Sequence, residues 1–278
     1  MADDTLNILH VSDTHSALDK VEQLKEWLKK RNQRVDLVLL SGDIANMPMD
    51  FDLPLEDIDK YTKDMEKMIN SIASIQPNMY YIPGNHDPIS SFTKETCLLP
   101  VATPTTLPYN VDKKFVYIAP SLCVAGFGGS LPAFLRNGDK FWNSFPYKTV
   151  EEYDDALKGV TDGLFNQGSV LQPDDVLIFM THSGPNDSGT TLETRDVTSP
   201  VISGSDKLLY ALKSPKAQQH CILNIHGHTH ASCGKTMIGN ITVSNPGSLK
   251  ENGRFAIYEL YKDPWKLSAT SYHTLPLK

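Results

Sequence analysis

The feature that most constrains this chain is a repeated order: a short apolar run, a polar loop, then an amphipathic stretch. "LNILHVS" reads as a strand, residues 19–33 as a helix, "VDLVLLS" as a strand, residues 55–75 as a helix and "MYYIPG" as a strand. That alternation predicts β-α-β units and a largely parallel sheet. From about residue 107 the texture shifts to shorter strand-like pieces, "FVYIAP" and "LCVAGFGG", punctuated by Gly and Pro. A helix comes next over 150–166, then a strand at "DVLIFMTHS", a helix over 205–213, and strand plus loop at "HCILNIHGHTH". The end reads as a β-meander of "ITVSNPGS", "GRFAIYELY" and "WKLSATSY". The stretch "PVATPTT" at 100–106 reads as a loop, so residues 1–278 are expected to form a single α/β domain.

Composition narrows the class. An apolar fraction of 40% and a charged fraction of 21% suit a globular protein with a substantial core. The formal charge of -7 is spread along the chain, with no Lys/Arg run to neutralise a phosphate backbone or anionic lipid. Nucleic acid and membrane are therefore not the expected partners. "MADDTLN" lacks the basic and apolar regions of a secretory signal, and no stretch has the apolar length of a membrane span. Cys97, Cys123, Cys221 and Cys233 form no C-x-x-C pair, which predicts free thiols and a cytoplasmic protein.

The chemistry lies in the loops at the strand ends. In "VSDTHSALD", Asp13 and His15 are two residues apart, and in an extended backbone they would share a face and reach one point beyond the strand. That suits a metal ion, although Asp, Ser and Thr also form ordinary turns and helix caps. "VDLVLLS" is followed by "GDIANM" with Asp43, and "MYYIP" by "GNHD" with Asn85, His86 and Asp87. His182 comes after "DVLIFM", and "HGHTH" places His226, His228 and His230 after "HCILNI". Ligands of open α/β sheets bind beyond the carboxyl ends of strands, so these five segments are expected to line one crevice. Six of the nine histidines lie in these loops. Clustered imidazoles repel on protonation and suit a metal better than a structural role.

In this order the segments resemble the signature of the calcineurin-like metallophosphoesterases, over Asp13 to His230. The resemblance implies a four-layer α-β-β-α sandwich and a dinuclear metal centre. It implies that Asp13, His15, Asp43 and His230 bind one ion, and that Asp43, Asn85, His182 and His228 bind the second. Asp43 would be the bridge. His86 would face the substrate as a catalytic residue, with Asp87 orienting its imidazole; His226 has no implied role beyond strand-end packing. The activity implied is hydrolysis of phosphate mono- or diesters by a hydroxide bridging two divalent or mixed-valence transition metal ions. Ligation by oxygen and nitrogen without thiolate suits Mn, Fe, Zn or Ni, with manganese the first expectation.

"GDIANM" and "GNHD" depart from the Arg and Glu of dedicated Ser/Thr protein phosphatases, so a small phosphorylated substrate is expected. A cyclic nucleotide phosphodiesterase is one alternative. A noncatalytic scaffold resembling the retromer subunit is another, opposed by the full complement of ligand residues. A nuclease would want a basic groove. Substrate choice is expected in loops 126–145 and 183–200, through Phe134, Arg136, Lys140 and Trp142, and through Asn186, Thr190, Thr191 and Arg195.

Overall fold

A computed structural model of the chain describes residues 4–102, 104–134, 140–142, 144–193 and 201–276. Two large sheets organise it. The first has the strand order Lys266–Thr274, Arg254–Tyr261, Thr5–Val11, Leu37–Leu40, Met79–Tyr81, Tyr109–Asn110. Its last four strands run parallel, and the two C-terminal strands add antiparallel. The second has the order Gly234–Ile238, Ile241–Asn245, Cys221–Ile225, Val176–Thr181, Leu122–Phe127, Lys114–Ala119, Leu99–Val101. Its four strands from Ile241–Asn245 to Leu122–Phe127 are parallel.

Three apolar clusters define the layers. Side chains alternate in direction along a strand, so Leu9, Val11, Val38 and Leu40 leave one face of the first sheet. They pack against Val21, Leu24 and Trp27 of helix Leu18–Lys30 and Met65, Met68 and Ile72 of helix Leu55–Ala73. From the other face, Ile8, Leu37 and Leu39 meet Val124, Ile178, Met180 and Leu223 of the second sheet. That sheet's outer face, with Cys123, Phe127, Leu177 and Phe179, is covered by Tyr153, Leu157 and Leu164 of helix Val150–Phe165 and by Leu208 and Leu212 of helix Asp206–Leu212. The result is helix, sheet, sheet, helix, the four layers that the resemblance implied. Each fully buried Leu or Ile contributes about 1.5–3 kcal/mol before entropy is counted. Burial on both faces explains why the central strands read as unbroken apolar runs.

Three expectations need correction. The C-terminal meander does not exist: Ile241–Asn245 pairs in parallel with Cys221–Ile225 in the second sheet, and the next two strands belong to the first. Between them the chain crosses through helix Leu249–Asn252, started by the Ser248 hydroxyl and stopped by Gly253 at φ 63°. Residues 100 and 101, expected within the loop 100–106, belong to an edge strand, Leu99–Val101. Described residues of the two loops expected to choose substrate contribute strands to one small sheet, in the order Leu192–Glu193, Val201–Ile202, Ala133–Phe134, Lys140–Trp142. Two-residue strands carry too little periodicity to be read from sequence. Among the described residues, no helix is long and apolar enough to cross a membrane.

Candidate metal centre

The loops at the strand ends of both sheets meet at one end of the sandwich. Asp13 and His15 do converge there, but not from an extended strand. The strand stops at Val11, and both residues turn into the left-handed region, at φ 53° and φ 40°. Asp43 and His228 do the same, at φ 51° and φ 65°. Such backbone costs on the order of 1–3 kcal/mol per residue and persists only when neighbours enforce it. Here the neighbouring loop does so: the N–H groups of Asp13, His15 and Ser16 donate to the carbonyls of Gly42, Asp43 and Ile44 at 3.0, 2.9 and 2.9 Å.

Two glycines of the motifs are explained by crowding. A Cβ on Gly84 would lie 2.2 Å from the Asp43 nitrogen, and one on Gly227 would lie 1.8 Å from Ser12 Oγ. No other residue fits where the loops press together.

The donors fall into two groups that share one carboxylate. Asp13, His15, Asp43 and His230 offer one ligand atom each, as do Asp43, His182 and His228, with the atoms of each group within 4.8 Å of one another. Asp43 Oδ2 lies 3.6 Å from His15 Nε2, while its Oδ1 lies 3.3 Å from His182 Nε2. Asn85 joins the second group, its Oδ1 being 2.9 Å from His182 Nε2. In the first group His230 Nε2 is 3.1 Å from Asp13 Oδ1 and 3.4 Å from His15 Nε2. All seven residues expected as ligands are therefore brought together, in the two expected sets.

This cluster fits a pair of cations. His182 Nδ1 donates to the Ser41 carbonyl at 2.8 Å, which turns Nε2 toward the cluster. His228 Nε2 is buried with no hydrogen-bond partner among the described residues. Burial favours neutral groups, yet the carboxylates stay charged: Asp13 is held down to about 2 by His230 and His182 against the effect of burial, and Asp43 lies well below the usual range through the same kind of contact with His182 and His86. They in turn outweigh burial at His182, raised to about 9, and at His230, raised to about 10. His228 goes the other way, down to about 3, because burial and the charge on His182 oppose a further proton. The site demands positive charge and offers oxygen and imidazole donors without thiolate, the chemistry of borderline divalent transition metals.

His86 lies beside these groups. Its N–H donates to Asp43 Oδ1 at 2.7 Å, its Nδ1 lies 2.8 Å from the Met47 carbonyl, and its ring meets that of His15 edge-on at 5.0 Å. With Nδ1 donating to Met47, Nε2 remains for the cleft. Asp87 does not orient this imidazole, contrary to expectation. Its carboxylate instead accepts N–H groups of Ile44, Ala45 and Gly84 at 3.1, 2.6 and 2.7 Å, tying "GD" to "GNHD". Burial and the charge of Asp43 still push it up to about 7.

His226 packs as expected, its Nε2 2.8 Å from Thr190 Oγ1 and its side chain filling the space beside Gly184. That contact turns Thr190 inward. Thr191 donates to the Pro185 carbonyl and Asn186 to Asp206, so none of these three faces the cleft. Arg136 and Arg195 lie outside the described residues, as do the side chains of Phe134 and Lys140. Trp142 does reach the site, its ring edge-on to His228 at 4.9 Å.

A cleft of about 360 Å³ opens over the cluster, lined by His15, Asp43, Asn85, His86, His228 and His230 and walled by Asn46, Met49, Trp142, Lys250 and Glu251. Met49 Sδ accepts from Asn85 Nδ2 at 3.0 Å, which leaves Oδ1 toward the cluster. Glu251 Oε1 lies 3.0 Å from His230 Nδ1. Of the wall residues, sequence reading named Trp142 but missed Lys250 and Glu251, although "SLKENG" comes after the apolar "ITVSN" and the strand-end rule pointed there. A further layer backs the site from below: His10 is buried between Tyr258 and Ser41, with Nδ1 2.9 Å from the phenol and Nε2 2.8 Å from Ser41 Oγ.

A sandwich of two sheets with two groups of potential metal ligands sharing one carboxylate at one end is the arrangement expected of a metallophosphoesterase. Residues 6–232 match the calcineurin-like phosphoesterase family, and the chain belongs to that family of metal-dependent hydrolases of phosphoric ester bonds. No curated protein sequence matches the chain. One crystal structure shares the fold with a TM-score of 0.66 at 16% identity, covering 98% of this chain and 100% of that one. A Thermus thermophilus protein does so at 0.55 and 15%, covering 98% and 100%. A dimetal phosphatase from Danio rerio does so at 0.55 and 11%, covering 99% and 100%.

Proposed function

We propose that this chain hydrolyses small phosphate mono- or diesters with two divalent transition metal ions, manganese the first candidate. Asp13, His15, Asp43 and His230 would hold one ion, and Asp43, Asn85, His182 and His228 the other. The observation that carries this reading is the split of the Asp43 carboxylate, one oxygen toward His15 and the other toward His182. Bound there, two cations supply a water of lowered pKa and a clamp on the phosphoryl oxygens.

The chain's own groups do the rest. Asp43 and Asp13 offset the cationic charge, and the Ser41 carbonyl fixes the His182 ring. The Met47 carbonyl orients His86 so that an Nε2–H can be delivered to the departing ester oxygen. Asp87 holds the "GNHD" turn against the Asp43 loop rather than touching substrate.

The test is a screen of aryl phosphate monoesters and diesters with Mn, Fe, Zn or Ni supplied. No turnover with any of them would favour the scaffold. His86→Asn should keep its metal yet lose about 10²–10⁴-fold on an alkyl ester, as expected of a lost general acid, and distinctly less on a nitrophenyl ester. Equal losses on both would make His86 a substrate-positioning group instead.

A further inference from the structure

We propose that Lys250 makes the cleft select phosphate monoesters over diesters, its ammonium meeting a phosphoryl oxygen of the dianion. The proposal rests on the phosphoesterase reading above and names its substrate class. Among the described residues, Lys250 is the one lysine or arginine that lines the cleft. Its backbone is locked to the cluster: the Lys250 N–H donates to the Asp13 carbonyl at 3.2 Å, and the Ser248 hydroxyl donates to the same oxygen at 3.0 Å. The Lys250 backbone is thus fixed directly to Asp13, a member of the first group of donors.

Its charge is free to act on a ligand. Lys250 makes no ion pair among the described residues, whereas the adjacent Glu251 directs a carboxylate oxygen to His230 Nδ1 at 3.0 Å. The two neighbours thus differ, the acid being engaged with a histidine of the first donor group and the lysine lining the cleft without a partner acid among the described residues. Among the described residues, the other wall side chains Asn46, Met49 and Trp142 carry no charge.

Charge then decides between substrates. A monoester carries close to two negative charges near neutral pH and a diester one, and interaction with a fixed cation scales with that charge. A monoester also has a third non-bridging oxygen, which a diester has replaced by an ester link. Lys250 offers donors to that oxygen and nothing to the link.

The experiment compares phenyl phosphate and diphenyl phosphate, which share a leaving group, across wild type, Lys250→Gln and Lys250→Arg with metal content measured in each. Lys250→Gln should lower kcat/KM for the monoester about 10-fold or more, as expected for a lost charge-assisted hydrogen bond. It should lower the diester rate distinctly less, and Lys250→Arg should restore most of the monoester rate. Competitive inhibition by inorganic phosphate should weaken in parallel with the monoester. Equal losses on both esters, no loss on either, or a wild-type preference for the diester would overturn the proposal alone. A metal-loaded wild type that turns over neither ester, at any metal tried, overturns the phosphoesterase reading and this proposal with it.

Discussion

The two donor groups that share Asp43 are built differently. The His182 side chain is 0% exposed, and its outer nitrogen is held by the backbone carbonyl of Ser41 at the end of a central strand. The His230 side chain is 13% exposed, and its outer nitrogen faces Glu251, a surface carboxylate that is itself 40% exposed. A backbone partner costs no side-chain entropy to hold, whereas a glutamate must be immobilised each time. The deep group is set by the sheets and the outer group by the surface. On the dimetal reading, the outer ion is the one that exchanges, and the deep ion is the resident.

The strongest way to break this comparison is to remove what the groups share. Asp43→Asn should leave less than one equivalent of metal after dialysis, with a loss of affinity beyond the roughly 10–100-fold typical of outer partners. His15→Ala should instead keep the deep ion. Two equivalents retained by Asp43→Asn would refute the shared carboxylate.

A pH measurement probes the support beneath the deep group. Burial, with the nearby His226, lowers His10 to about 3, so this imidazole is neutral in the fold and protonates in the unfolded chain near 6.5. Its folded value is depressed, so its contribution is full above about 6.5 and is lost as pH falls toward 3. Summed over that window the effect is on the order of a few kcal/mol. Denaturant unfolding at pH 7 and pH 4.5 should therefore show a smaller acid loss in His10→Gln than in wild type. Equal losses would mean that the other buried histidines carry the whole acid response.

The smallest expected effect sharpens the comparison most. Met49→Leu removes the acceptor for Asn85 Nδ2 while keeping the volume. Calorimetric titration should show the deep ion weakened by about 10-fold, the lower end for an outer partner, with the outer ion unchanged. Equal weakening of both ions would show that Met49 acts on the cleft as a whole.

The ligand residues are legible in the sequence because strand ends in such sheets advertise themselves: an apolar run stops and Asp, Asn or His comes next. Their mutual geometry is not. Local reasoning puts Asp13 and His15 on one face of an extended strand, but contacts with the Asp43 loop force both into left-handed backbone. Proximity in sequence pairs Asp87 with His86, yet a carboxylate buried under three N–H groups from elsewhere is spoken for. Thr190 and Thr191 mislead for the same reason, with no sign in the sequence that His226 and Pro185 lie behind them. Lys250 and Met49 go unremarked because neither residue type marks a site by itself. The layers are easier, since buried parallel strands and amphipathic helices keep their own periodicities.

The bond from Ser248 Oγ to the Asp13 carbonyl joins residues 235 positions apart. During synthesis at roughly 5–20 residues per second, the Asp13 loop waits on the order of 10–50 s for that partner. His228 and His230 emerge only slightly sooner, and the strand Arg254–Tyr261, which flanks Thr5–Val11, emerges later still. A ribosome-bound chain therefore holds Asp13, His15 and Asp43 without the histidines that complete either group. On the dimetal reading, a chain stalled before His228 lacks ligands of both groups.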